Sequence, residues 1–120
     1  MPNDDAVEPQ SQNDAAEPQP LTVEVQNDDG VPVLVVRGEL DVYSAPALDA
    51  AVDEVLQNGA RSLVLDLGDV GFIDSSGLRS MIRARKEAGS GTDAVRIRNP
   101  QAATVRLLDI TGLTEHFPTA

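Results

Sequence analysis

Hydrophobic residues first fall into a regular pattern at Leu21. Leu21, Val23 and Val25 alternate with Thr22, Glu24 and Gln26, the two-residue period of a half-buried strand. Asn27-Asp28-Asp29-Gly30 reads as a turn. Val31 to Arg37 follows as a second strand, apolar on both faces from Val33 to Val36 and therefore more central. A connection this short predicts an antiparallel hairpin. The alternation then stops, and Gly38-Glu39-Leu40-Asp41-Val42-Tyr43 is expected to leave the sheet as a loop. Ser44 can cap a helix whose first turn tolerates Pro46. Leu48, Ala51, Val52, Val55 and Leu56 recur at i, i+3, i+4, i+7 and i+8, a single helical stripe. Asn58-Gly59 ends that helix.

The same grammar repeats once more. Ser62 to Leu67 predicts a third strand, with Leu63, Leu65 and Leu67 on one face. A loop over 68–75 leads to a helix opening at Ser75 or Ser76. Leu78, Met81 and Ile82 face inward; Arg79, Arg83, Lys86 and Glu87 face outward, with Arg83 and Glu87 spaced to pair. Ala88-Gly89-Ser90-Gly91 stops the helix, and Ala94 to Arg98 predicts a fourth strand. Asn99-Pro100 reads as cap and first position of a third helix that carries Ala103, Leu107 and Ile110 in line and runs to about Ile110. Gly112 stops it, and Leu113 to Ala120 is a short tail with room for a terminal strand.

The expected order is β-β-α-β-α-β-α. The β-α-β units require parallel pairing with right-handed crossovers. Strands with one apolar and one more polar face argue for an α/β fold: a mixed sheet with its helices mainly on one face. Sites in such sheets gather beyond the carboxyl ends of the strands. The segments 38–43 and 68–75 both lie there and are expected to be neighbours.

Composition narrows the chemistry. Hydrophobics make up 41% of the 120 residues but aromatics only 2%, so the core must be built from Val, Leu, Ile and Ala. The chain contains no cysteine, which removes disulfides and thiol chemistry. No stretch approaches the roughly 18 apolar residues of a membrane span, and no leader-like apolar segment opens the chain, so a cytoplasmic protein is expected. Net charge is −11. Residues 1–20 carry five acids and no base, and are expected to form a disordered acidic tail in front of one domain over 21–120. Residues 21–60 carry eight acids against Arg37 alone, whereas 61–120 are nearly balanced. Such a chain repels phosphate backbones, which argues against direct nucleic-acid binding.

Catalytic parts are scarce. The only histidine, His116, lies in the terminal tail and reads as a surface residue. A nucleophilic triad and a zinc site therefore both lack components. Asp41, Asp66, Asp69 and Asp74 could hold Mg²⁺ through oxygen ligands, but Asp66 sits within a strand and the others read as loop acids. No catalytic residue, metal or cofactor is assigned. What stands out is Asp74-Ser75-Ser76 at a helix mouth, where backbone N–H groups are unpaired and the helix dipole is positive. One reading is a helix cap and nothing more. The other is a phosphoacceptor: a phosphate on Ser75 adds about −1.5 to −2 charge beside Asp74 and would disrupt a docked partner while leaving the fold intact. The residues alone leave both open.

Gly38-Glu39-Leu40-Asp41, followed one strand later by Val70-Gly71-Phe72-Ile73-Asp74-Ser75-Ser76-Gly77-Leu78, resembles the STAS domain of bacterial anti-sigma factor antagonists. The resemblance covers residues 21–117 and implies a STAS-like mixed sheet of four to five strands. It further implies a non-enzymatic partner-switching protein. Such antagonists bind an anti-sigma factor that is itself a serine kinase, which frees a sigma factor. The kinase phosphorylates the antagonist, here at Ser75, and a phosphatase reverses the modification. Asp41, Asp74, Ser75, Ser76 and Gly77 would form the partner-binding surface. The alternative within the same fold is a constitutive scaffold, such as the soluble subunit of a transport complex. A nucleotide-binding enzyme is a third reading, supported only by the carboxylates and the helix N-terminus.

Overall fold

Asp29 and Gly30 both adopt positive φ (55° and 87°), and that pair turns the first hairpin. The Asn27 side chain fixes the turn by accepting the Gly30 N–H at 2.8 Å. The computed structural model describes residues 21–89, 91 and 93–120. Strand β1 (Thr22–Asp28) runs antiparallel to β2 (Val31–Leu40), in register from Thr22↔Arg37 to Asp28↔Val31. Helix α1 (Ala45–Gln57) leads into β3 (Leu63–Ile73), which lies parallel to β2. Helix α2 (Ser75–Ala88) leads into β4 (Val95–Arg98), parallel to β3. Helix α3 (Ala102–Thr111) and a single tight turn (Thr114–His116) follow. Among the described residues the sheet order is β1-β2-β3-β4.

The tail beyond α3 adds a rudimentary fifth strand. Ile97 donates its N–H to Pro118 at 2.9 Å and accepts from Ala120 at 2.7 Å, closing a parallel bridge to Thr119. Phe117 is thereby carried into the core.

One face of the sheet holds the main core. Leu34, Val36 and Leu40 of β2, Leu63, Leu65 and Leu67 of β3 and Ile97 of β4 pack against Leu48 and Val52 of α1, Leu78 and Met81 of α2 and Leu108 of α3. All three helices therefore stack on that face. The opposite face carries a narrow apolar strip, Val31, Val33, Val35 and Val64. Arg98 of β4 reaches Asp28 of β1 at 3.3 Å, an ion pair joining the two outer strands. Both residues line a cleft of about 260 Å³ together with Val31 and Val64.

The strands run further than their alternation suggests. Gly38-Glu39-Leu40 stays in β2 and pairs with Val70, Phe72 and Ile73, where a loop was expected on both sides. Between Val35↔Asp66 and Arg37↔Asp69, β3 carries one residue more than β2; it carries another between Gly38↔Val70 and Glu39↔Phe72. These are two bulges, and each inserts a residue that breaks the period-two pattern. Side chains satisfy the backbone where it bulges. Asp66 accepts the Gly68 N–H at 3.1 Å, and Gln101 donates to the Gly68 carbonyl at 2.7 Å.

Further expectations are corrected by packing. Val25 alternates as predicted but lies half exposed on the edge strand. Asn99 takes a left-handed φ of 56°, so α3 is capped two residues later, at Gln101. The buried stripe of α3 is Thr104 and Leu108, with Leu107 beside it; Ala103 is exposed and Ile110 is 75% exposed. The expected stop over 88–91 is made by Gly89 at φ 108°, while Ser90 lies outside the described residues. The expected acidic tail, 1–20, also lies outside them.

Candidate functional site

The two strand ends finish level, Leu40 opposite Ile73, and the next residue on each strand is an aspartate. The Asp74 N–H donates to the Leu40 carbonyl at 3.1 Å, tying the two connections together at their root. From that joint β2 passes through a four-residue turn into α1, and β3 passes directly into α2.

Asp74 is the N-cap of α2, with an extended backbone (φ −116°, ψ −170°). Its Oδ1 accepts the N–H groups of Ser76 at 2.8 Å and Gly77 at 3.2 Å, and its carbonyl accepts from Leu78 at 3.0 Å. Within Asp74-Ser75-Ser76 the capping group is thus the Asp74 carboxylate. Ser75 is the first residue of the helix and is exposed; Ser76 is half-buried. Gly77 is buried because α2 enters against the end of β2. A Cβ there would lie 2.6 Å from Leu40 Cγ and 2.9 Å from Ile73 Cγ1. What Gly77 contributes to the site is this close approach.

Asp41 organises the facing turn. Its Oδ1 accepts the N–H groups of Tyr43 and Ser44, each at 3.0 Å. Ser44 does not cap α1 through its side chain. Its hydroxyl donates to the Glu39 carbonyl at 2.6 Å and accepts the Asp41 N–H at 2.9 Å. The closed turn presents Val42, 59% exposed, and Tyr43, 87% exposed. Between this turn, the start of α1 and the first two turns of α2 lies a groove of about 220 Å³, lined in part by Val42, Ala45 and Pro46 on one side and Ser76, Arg79 and Arg83 on the other.

Residues 22–120 match the family model of the STAS domain. The chain belongs to the STAS domain family. It is similar to RsfB of Mycobacterium tuberculosis, named as an anti-sigma-F factor antagonist, with 38% identity over 72 residues, 60% of this chain. That match spans 59% of RsfB's length. It is 30% identical over 95 residues to an anti-sigma-B factor antagonist of Staphylococcus aureus, covering 79% of this chain and 88% of that one. A crystal structure of an anti-sigma factor antagonist from Mycobacterium paratuberculosis superposes with a TM-score of 0.73 at 34% identity, over 82% and 84% of the two chains. The expected α/β architecture, helices on one face of a mixed sheet, is the STAS fold found here.

In this STAS domain the acids singled out from the sequence have separate engagements. Asp66 braces the first bulge, Asp69 pairs with Arg37 at 3.1 Å, Asp74 caps α2 and Asp41 closes its turn. Among the described residues no three acidic or imidazole side chains converge to hold a metal ion. His116 is exposed on the final tight turn. No helix among the described residues is long and apolar enough to cross a membrane.

Arg83 does not take Glu87 as its partner. It reaches across to α1 and binds Asp53 at 3.0 and 3.1 Å, with Asp49 at 3.7 Å. The hydrogen bond that Arg83 donates to Asp53 holds the guanidinium pKa above its ordinary value. Its charge is therefore committed to joining the two helices. Val42 and Tyr43 are the site residues that the pattern of alternation does not reveal. A usable signal was present: Tyr43 is the chain's single tyrosine, placed in a polar segment where no core requires it.

Proposed function

We propose that this chain is an anti-sigma factor antagonist without catalytic activity, controlled by phosphorylation of Ser75. It binds a serine-kinase anti-sigma factor through the Asp41 turn and the start of α2, and so frees a sigma factor. The kinase marks Ser75, and a phosphatase restores it. The family membership and the antagonists among its relatives support the general role. The observation that carries the switch is the placement of Ser75: exposed, at the first helical position, with the N–H groups of Ser76 and Gly77 already taken by Asp74.

That placement has an electrostatic consequence. A free helix mouth would absorb a phosphate. Here the mouth is occupied by a carboxylate, so the added charge of about −1.5 to −2 stands outward, in the path of a docked partner. Leaving a charge unpaired in an interface costs on the order of 2–5 kcal/mol. At 1.4 kcal/mol per tenfold, affinity falls by about 30- to 3,000-fold.

The test is phosphosite mapping by mass spectrometry after incubation with ATP and purified kinase-type anti-sigma factors of the same organism. The expected result is phosphate on Ser75 with loss of the complex. Phosphate on Ser76 instead would move the acceptor by one residue. A stable complex that never acquires phosphate would overturn the switch and leave a constitutive antagonist or scaffold.

A further inference from the structure

The groove between α1 and α2 holds two arginines in different states. Arg83 is clamped by Asp53 and Asp49. Arg79, one turn earlier on α2, is exposed and forms no ion pair among the described residues. Arg61, Arg85, Arg96 and Arg106 also form no ion pair among the described residues, but of these arginines only Arg79 lines the groove. It faces an apolar wall made by Val42, Ala45 and Pro46, with the exposed Tyr43 at the turn above. Exposed aromatic and arginine side chains beside a small apolar recess are what the energetic centres of protein interfaces are made of.

We infer that this groove receives an apolar side chain of the anti-sigma factor flanked by a carboxylate, the apolar group resting on Val42, Ala45 and Pro46 and the carboxylate pairing with Arg79. The sign follows from Arg79 itself: Asp49 and Asp53 both face Arg83, while Arg79 has no ion-pair partner among the described residues, so it is the group in the groove open to a partner's carboxylate. The inference rests on the proposed role of Ser75, whose neighbour Ser76 lines the same groove. It also adds a second arm to the switch. Ser75 and Arg79 are four residues apart on one helix face. A phosphate on Ser75 therefore competes with the partner's carboxylate for the same guanidinium.

Isothermal titration of the full chain with the purified kinase-type anti-sigma factor of the same organism tests this. The variants are Arg79→Glu, Val42→Asp and Ser75→Asp, with Arg106→Glu on α3 as a charge-matched control. All four positions are exposed, so circular dichroism melts should coincide with wild type. Arg79→Glu and Val42→Asp are each expected to weaken binding by about 30-fold or more, the scale of an interface hot spot. Arg106→Glu should stay near wild type. If Ser75→Asp weakens binding while Arg79→Glu and Val42→Asp do not, the groove is overturned and the Ser75 switch stands. An equal loss with Arg106→Glu would reduce Arg79 to general electrostatics and also overturn it. A folded wild-type chain that does not bind any such factor would overturn both.

Discussion

Replacing Gly77 by alanine sets two effects of opposite sign against each other. Gly77 lies inside α2, and alanine gains up to about 1 kcal/mol over glycine in a helix. Sterics oppose this. The new Cβ would sit 2.6 Å from Leu40 Cγ and 2.9 Å from Ile73 Cγ1. Neither contact is with the tip of a flexible side chain. Leu40 is fully buried at the end of β2, and its Cγ can retreat only if the whole side chain changes rotamer within the core. Overpacking of this kind costs about 1–3 kcal/mol. The net expectation is destabilisation by up to about 2 kcal/mol, a fall in Tm of up to roughly 15 °C for a domain of this size. The chain has no tryptophan, so urea unfolding is followed by far-ultraviolet circular dichroism. A companion experiment identifies the cause. Leu40→Ala empties the space that the new methyl needs, so the double variant should be more stable than the sum of the two single losses by about 1 kcal/mol. A Gly77→Ala chain that is more stable than wild type would refute the reasoning, because helix propensity would then outweigh the close approach. So would simple additivity with Leu40→Ala.

Two further substitutions probe the same elements. Asp74→Ala removes the acceptor for the Ser76 and Gly77 N–H groups and should lower stability by about 1 kcal/mol, whereas Asp74→Asn, which keeps a capping oxygen, should lose much less; equal losses in urea melts would show that the cap is not what Asp74 supplies. Thr104 is 1% exposed and its hydroxyl has no hydrogen-bond partner among the described residues, so Thr104→Val should raise stability by about 1 kcal/mol, and a loss in the same assay would mean the hydroxyl is satisfied after all.

The sequence was legible where one local rule decided the outcome. Asn27 to Gly30 could only turn, and the stripe from Leu48 to Val55 could only be a helix face. It was illegible where a partner distant in sequence decides. Gly38 to Leu40 and Gly68 to Ile73 look like loops because inserted residues spoil the alternation, yet each is held in the sheet by the other. Arg83 sits at the right spacing for Glu87, but it donates instead to both oxygens of Asp53 on α1, with the Asp49 carboxylate at 3.7 Å. On α3 the apolar pattern favoured Ile110, while packing chose Thr104, since a narrow contact with the sheet selects a line of positions before it selects polarity. At the site, the resemblance directed attention to Asp41 and Asp74 as partner-facing acids. Their hydrogen bonds show what each does locally: one shapes the turn that exposes Val42 and Tyr43, and the other seals a helix end.

The seal bears on how the molecule breathes. Because one carboxylate oxygen holds both the Ser76 and the Gly77 amides, those two protons should resist exchange with solvent together and be released together. A negative group attached next door acts on the same oxygen, so it shifts the opening of the first turn of α2 rather than that of the strands behind it. Modification of the serine would then be recorded in the protein's own local opening rate, as a paired change at two neighbouring amides, before any other protein is present to respond to it.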